Sequence, residues 1–429
     1  MLQFKKSAQP VKAKLVSAEK GEVEITNRYL FTDLSELNTT WILQADNEII
    51  QKGEMSVSLK PQEKKIVVIP FKKPEIRPGV EYRFLISFRQ KEKKPWADAG
   101  YEIAWDQMEL PWYQQAQIIK KPSSGSIKVN EENGDLIVTG KDFAYTFNRS
   151  TGTLSSLKFQ GKELIKEGAR MNAWHAPLAN ETDEWTMKSA NMKHKVEGYG
   201  NMAATEWYSS GLDRLQFYLD NFRWEKQNDD TVLIEVKNVL VLGNQKGAFL
   251  NHFRYRIDGS GEMKIEHTII PNGDMPSWLP RIGTAWILDK SLENVQWYGR
   301  GPEENYPDRK SGYKTGIYKS TVKEMYVPYL IPQDYGLMTE NRWVKMIDGN
   351  GTGLEFKGNK LFNFSAQPYS TENLTKALYT YQLHPFDGIT FNFDYATSGL
   401  GDTPRSVFTQ YQVMPQRYDF IMTVRPVKE

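Results

Sequence analysis

Short apolar runs, each closed by Gly, Asn, Asp or Pro, recur along the whole chain. Val23 with Ile25, Trp41 with Leu43, Ile66 with Val68, and Tyr82 with Phe84 and Ile86 lie two residues apart. That period places side chains on one face of a strand, and the punctuation ends each strand after a few residues. The pattern is that of an all-β protein with antiparallel sheets and excludes a βαβ fold.

Roughly seven such runs between Val11 and Leu110 predict one immunoglobulin-like β-sandwich over residues 12–111, a size that suits the class. The character changes from Pro111 to Ser126, where WYQQAQ and KKPSSGS carry no periodic apolar pattern. Residues 112–126 therefore read as a linker, with Pro122, Ser123, Ser124 and Gly125 as its clearest signal. Hairpin turns then recur at Glu132-Asn133-Gly134-Asp135, Arg149-Ser150-Thr151-Gly152 and Asp258-Gly259-Ser260-Gly261, between runs such as Phe143 to Phe147. Residues 127–429 are expected to form one large antiparallel sandwich. Only Ser370 to Leu378, with its Ser/Thr start ahead of Leu374 and Leu378, predicts a helix.

A chain of 429 residues predicts two or three domains. Its 55 basic and 53 acidic side chains nearly cancel, so no global field draws it to nucleic acid or a membrane surface. No apolar run approaches the ~20 residues that span a bilayer, and MLQFKKSAQP lacks the apolar core of a signal peptide. The absence of cysteine excludes disulfides, thiolate metal sites and cysteine nucleophiles. The five histidines, at 175, 194, 252, 267 and 384, form no H-x-x-x-H or H-x-H pair, so no metal site is expected. The 12 Trp, 22 Tyr and 20 Phe serve either a β-sandwich core or sugar stacking.

The segment WYGRGPEENYPDRK, Trp297 to Lys310, followed by VPYLIPQDYG, Val327 to Gly336, resembles the signature of the small-chain domain of family-two glycoside hydrolases, the β-galactosidases. ITNRYLFTDL (Ile25 to Leu34) with Trp41, and AGYEIAWDQMELP (Ala99 to Pro111), resemble the sandwich that follows the catalytic barrel in that family. TGTLSSLKFQGKEL (Thr151 to Leu164), NAWHAP (Asn172 to Pro177), WYSSGLDRL (Trp207 to Leu215), FSAQPYS (Phe364 to Ser370) and SGLGD (Ser398 to Asp402) continue in family order. The resemblance implies a galactose mutarotase-like β-supersandwich over residues 127–429. It also identifies LQFKKSAQPV (Leu2 to Val11) as similar to the end of the last barrel helix, so residues 1–11 are expected to be a remnant of it.

Family members hydrolyse terminal β-galactosides with retention, using two glutamates on barrel strands. Such carboxylates stand about 5 to 5.5 Å apart across the sugar. They precede the region resembled here, so the resemblance implies no catalytic residue in this chain and no activity from it alone. It implies a non-catalytic C-terminal portion that packs on the catalytic TIM barrel and N-terminal domains, shapes the β-galactoside pocket and supports assembly, with a homo-oligomer open. No cofactor is implied. The compartment, cytoplasmic or bacterial periplasmic, would follow from the N-terminal part. Glu303 and Glu304 are a tempting pair, but neighbours in an extended strand face opposite ways. Together with Trp297, Arg300, Asn305, Tyr306, Asp308 and Arg309 they are expected to be structural, Arg309 bonding Asp308 or a backbone carbonyl.

In the family a loop of this domain reaches the barrel's mouth and offers a tryptophan, commonly in G-G-D-D-S-W. Here it reads GLGDTPRSV, with Asp402, Thr403, Pro404 and Arg405 as pocket candidates and no tryptophan. Arg405 is suited to sugar hydroxyls or a charged substituent, which puts a lactose-type preference in doubt. His175 stands where N-F-W-R-A-P usually has arginine, and the sequence assigns it no role. His267 shares a face with Met263, Ile265 and Ile269 and is expected in the core, whereas His252, beside Leu250, Arg254 and Arg256, faces a cleft or solvent. Two other functions remain: an independent carbohydrate-binding protein using Trp297, Tyr298, Tyr306 or Trp343, and a mutarotase-like enzyme with a histidine and a carboxylate converging in a cleft. A docking portion would expose apolar surface near the N-terminus and beside SGLGD.

Overall fold

The computed structural model describes residues 1–115, 125–182, 203–401 and 407–429. Two compact units emerge, one of Met1–Lys120 with Ser311–Gly316 and one of Lys121–Lys310 with Ile317–Glu429. Of the linker expected at 112–126, residues 116–124 lie outside the described residues.

The first unit opens with α1 (Leu2–Ala8) and carries β1 (Val11–Ser17), β2 (Glu22–Asn27), β3 (Leu37–Ala45), β4 (Glu48–Met55), β5 (Lys64–Val68), β6 (Tyr82–Gln90) and β7 (Glu102–Glu109). The strands form two antiparallel sheets, β1-β2-β5 and β4-β3-β6-β7, an immunoglobulin-like sandwich. Strict alternation sets the register: Trp41 lies opposite Ile86 and Leu43 opposite Phe84, and all four are buried. Gly53 makes room for the indole, because a Cβ there would lie 2.8 Å from Trp41 Nε1. Trp112 closes the core against Phe71 and Tyr82, with ring centroids 5.7 and 5.9 Å away. Helix α1 is held by Lys6, whose ammonium lies 2.7 Å from Asp106.

The second unit is larger. Strands β8 (Lys128–Glu132), β9 (Asp135–Thr139), β10 (Phe143–Asn148), β11 (Thr153–Phe159) and β12 (Lys162–Glu163) form a five-stranded meander. Its first turn has Asn133 and Gly134 at φ of 52° and 85°, the left-handed pair that a two-residue hairpin requires. A twelve-stranded antiparallel sheet follows from β13 (Ile165–Asn172), β14 (Gln216–Asn228), β15 (Thr231–Val241), β16 (Gly247–Asp258), β17 (Met263–Gly273), β18 (Arg281–Leu288), β19 (Asn294–Gly301), β20 (Lys314–Thr321), β21 (Met338–Ile347), β22 (Thr352–Gln367), β23 (Ile389–Thr397) and β24 (Tyr418–Lys428). Its main path runs β13-β18-β23-β22-β24-β17-β16-β15-β14.

One hydrophobic cluster joins the sheets: Tyr145, Phe147 and Leu157 of the meander meet Val232, Ile234, Phe253 and Tyr255. It runs on to Trp286, Phe356 and Phe391. The long strands β15, β16 and β17 bury one apolar face there and leave the other, of mixed polarity, more exposed.

The helix expected over Ser370–Leu378 is present and slightly shorter. After α2 (Ala203–Ser210), it forms α3 (Thr371–Lys376), with Ser370 Oγ accepting the Asn373 N–H at 3.1 Å. Helix α2 was not expected. Its buried apolar residues are few: Ala203, Ala204 and Trp207 face inward, and Trp207 Nε1 donates to the Trp278 carbonyl at 2.8 Å. Gly211 follows at φ 78°, a left-handed stop that the sequence displayed but that reads equally as a strand turn.

Trp286 is fully buried, its ring edge-on to Phe356 at 5.3 Å. Trp286→Ala should cost about 3–5 kcal/mol of stability, read from urea unfolding by circular dichroism. A loss below about 1 kcal/mol would mean that this ring does not anchor the core.

Candidate functional site

Strand β19 delivers the motif. Trp297 is fully buried, donates its indole N–H to the Arg300 carbonyl at 3.0 Å, and packs against Tyr318 and Phe364. Tyr298 and Tyr306 are buried as well, and Trp343 is half-buried. None of the four rings forms an exposed platform. Arg300 binds Glu340 at 2.5 Å, and Lys310 takes the other carboxylate oxygen at 2.5 Å. Glu340 sits at φ 56°, a conformation costly for a side chain with a Cβ, so the two cations hold a strained corner in place.

The two adjacent glutamates part company. Glu303 is exposed, whereas Glu304 turns inward and accepts from the Gly336 N–H at 2.9 Å, from Tyr306 at 3.3 Å and from Tyr329. Burial raises the Glu304 carboxyl above its ordinary range and the Asp334 charge adds to this, against those three donors. Asn305 accepts from the Thr339 N–H at 3.1 Å and from the Thr339 hydroxyl, which ties the motif to β21.

Asp308 and Arg309 form a clamp. Asp308 accepts from the Leu400 and Gly401 N–H groups at 3.0 and 2.8 Å, and Arg309 donates to the Gly401 carbonyl. Glycine is needed at 399, because a Cβ would come within 2.6 Å of the Asp308 carboxylate carbon. The clamp grips the residues just before the candidate loop. Asp402, Thr403, Pro404 and Arg405 themselves lie outside the described residues.

Beneath the motif is a buried ion network that sequence reasoning missed. Arg281 of β18 pairs with Asp334, and its other arm lies 3.7 Å from Asp394 of β23. His175, from NAWHAP, places Nε2 2.8 Å from Glu181 and Nδ1 3.6 Å from Asp334. Gln367 donates to Asp334 at 2.8 Å. Burial opposes a charged imidazole, but Glu181 and Asp334 outweigh it and raise His175 to about 9. A positive charge therefore persists where the motif usually has arginine. Asp394 differs: burial, with the Asp334 charge adding, pushes its carboxyl up to about 7 against the pull of Arg281. The signal for this network was the histidine replacing arginine in NAWHAP; its partners, more than 100 residues apart in places, had none.

The other histidines separate as their strand faces imply. His267 is buried, stacked on Phe253 at 3.8 Å, with Nδ1 2.5 Å from Tyr395 Oη and Nε2 against Asn251. His252 is half-buried at the edge of an open groove. Among the described residues no group of His, Cys, Asp and Glu is placed to hold a metal ion.

Residues 139–424 match the family described as β-galactosidase small chain, and residues 23–111 match β-galactosidase domain 4. A β-galactosidase from Priestia megaterium is 30% identical over 401 residues, 93% of this chain and 36% of the relative. One from Vibrio cholerae is 26% identical over 430 residues, 99% of this chain and 39% of the relative. The chain thus spans 36% and 39% of the lengths of these two relatives. Among solved structures, a galactose 1-epimerase from Lactobacillus acidophilus covers 72% of this chain and 99% of its own, at 11% identity and a TM-score of 0.35.

The raised Asp394 carboxyl sets a pH dependence. Its folded value near 7 lies above the unfolded carboxylate range, so its contribution is complete in acid and is lost as the pH rises toward 7. Asp394→Asn keeps the neutral form at every pH. The stability of this variant relative to the parent should therefore improve by about 3 kcal/mol between pH 5 and pH 8, measured by urea unfolding. An unchanged gap would mean that Asp394 is ionised across that range.

Proposed function

The chain belongs to the β-galactosidase small-chain family, and on that premise we propose that it is a non-catalytic C-terminal portion of a retaining β-galactosidase. In this reading residues 12–111 are a spacer sandwich and 127–429 the small-chain domain. The chain packs on a catalytic barrel, shapes one wall of the β-galactoside pocket through the loop at 402–405, and supports assembly.

The observation that carries the reading is the Asp308–Arg309 clamp, which spends two motif charges on fixing Leu400 and Gly401 at the base of that loop. Glu304 is likewise occupied by three donors, so these charges of the motif are consumed in holding structure. Exposed apolar side chains supply surface for docking: Phe4, Leu30 and Phe31 in the first unit, Leu330 and Phe408 in the second. Burial of Trp297, Tyr298 and Tyr306 argues against the stacking platform that an independent lectin would build from them.

The test is hydrolysis of a chromogenic β-galactoside by this chain alone and after mixing with the barrel-bearing part of a β-galactosidase. Silence alone with activity on mixing is expected. Activity from the chain alone would overturn the assignment of the carboxylates to the barrel, and silence on mixing would overturn complementation.

A further inference from the structure

Four neighbouring strands of the second unit, β14 to β17, leave their outer face uncovered by the hydrophobic cluster, and their pairing writes two contrasting rows across it. Tyr218 lies opposite Val239, Val239 opposite Leu250, and Leu250 opposite Ile270, so all four side chains share one face. Leu250 and Ile270 are 40% and 36% exposed and lie side by side. The next row is polar: Lys237 lies opposite His252, His252 opposite Thr268, and Thr268 opposite Asp419. A bulge in β14 between Leu219 and Asn221 inserts Asp220 at the end of this row. An ion-pair ladder, Arg223–Glu235–Arg254–Glu266, walls the polar side.

Between the rows runs an open groove of about 390 Å³, lined by Asp220, Lys237, Leu250, His252, Thr268 and Ile270 among others. Its floor is braced from behind, where Asn251 donates to Asn238 at 2.8 Å and meets His267. His252 Nε2 is buried in the protein and has no hydrogen-bond partner. Burial, helped by Lys237, Arg254 and Arg223 and opposed by Glu235, holds this imidazole below its ordinary range, so it stays neutral near pH 7.

We propose that this groove, which none of the motif residues lines, is a binding site for a neutral pyranose. A pyranose ring has an apolar C–H face and a belt of hydroxyls, which match the apolar row on one side and the polar row on the other. The volume falls in the range of small-ligand sites. A wholly apolar ligand would leave Lys237, His252 and Asp220 stripped of water without partners.

The test is saturation-transfer NMR on the 429-residue chain with methyl β-galactopyranoside and methyl β-glucopyranoside at pH 7. Transfer to the protons of one ring face is expected from at least one of them. Leu250→Glu, at an exposed site, and His252→Ala should each weaken binding at least tenfold. Tyr381→Ala, on an exposed loop that contributes nothing to the groove, should leave it unchanged. Circular dichroism and thermal melting establish that the variants fold. No transfer from either sugar, or transfer that neither groove substitution reduces in a folded variant, overturns the proposal. No barrel is needed for this test, so its failure leaves the complementation reading standing.

Discussion

Arg281 and Asp334 are both almost wholly buried, and an ion pair taken out of water has to be completed on every side. The second unit meets part of that demand with segments far apart in sequence, while Arg281 Nε and both Asp394 oxygens are buried without a hydrogen-bond partner. Arg281 comes from β18, Asp334 from the stretch before β21, His175 from the segment after β13, Gln367 from the end of β22 and Asp394 from β23. The backbone joins in, since the Asp334 N–H donates to the Ala176 carbonyl at 3.0 Å. Long loops that would otherwise lie free over the end of the sheet are thereby drawn to one point. Breaking such a pair from one side leaves a charge stranded, which is why the network constrains everything above it.

The motif is built on that base. Glu304 reaches Gly336, two residues beyond Asp334, and Asn305 reaches Thr339 at the start of β21. Asp308 and Arg309 then project outward to grip Leu400 and Gly401. A run of charged residues that looks like chemistry in the sequence is thus a chain of fixings from the buried network to Leu400 and Gly401. Side chains saturated in this way are poor candidates for proton transfer, because each would first have to give up the hydrogen bonds that hold it. The groove on the outer face of β14 to β17 is the contrasting case: there a histidine nitrogen is buried and nothing satisfies it.

What was legible in the sequence was local. Alternation in β3 and β6, the Asn133-Gly134 turn and the Ser370 cap each carry their structural consequence within a few residues, so the all-β class and the helix near 371 could be read directly. His267 could also be placed, because its strand neighbours at 263, 265 and 269 declare an apolar face. Helix α2 could not, since eight residues with three buried apolar side chains resemble a broken strand. Nor could the partners of His175 or the two rows of the groove. Both depend on which strand lies beside which and in what register, and that information is spread over the whole chain.

The second unit depends on the buried network, and His175 is its most accessible reporter. Its imidazole titration, followed by NMR in the folded chain, should show the ring protonated through neutral pH with a midpoint near 9. A midpoint at or below the ordinary histidine range would mean that Glu181 and Asp334 do not hold it as described. The tie from the NAWHAP segment to the motif would then be lost.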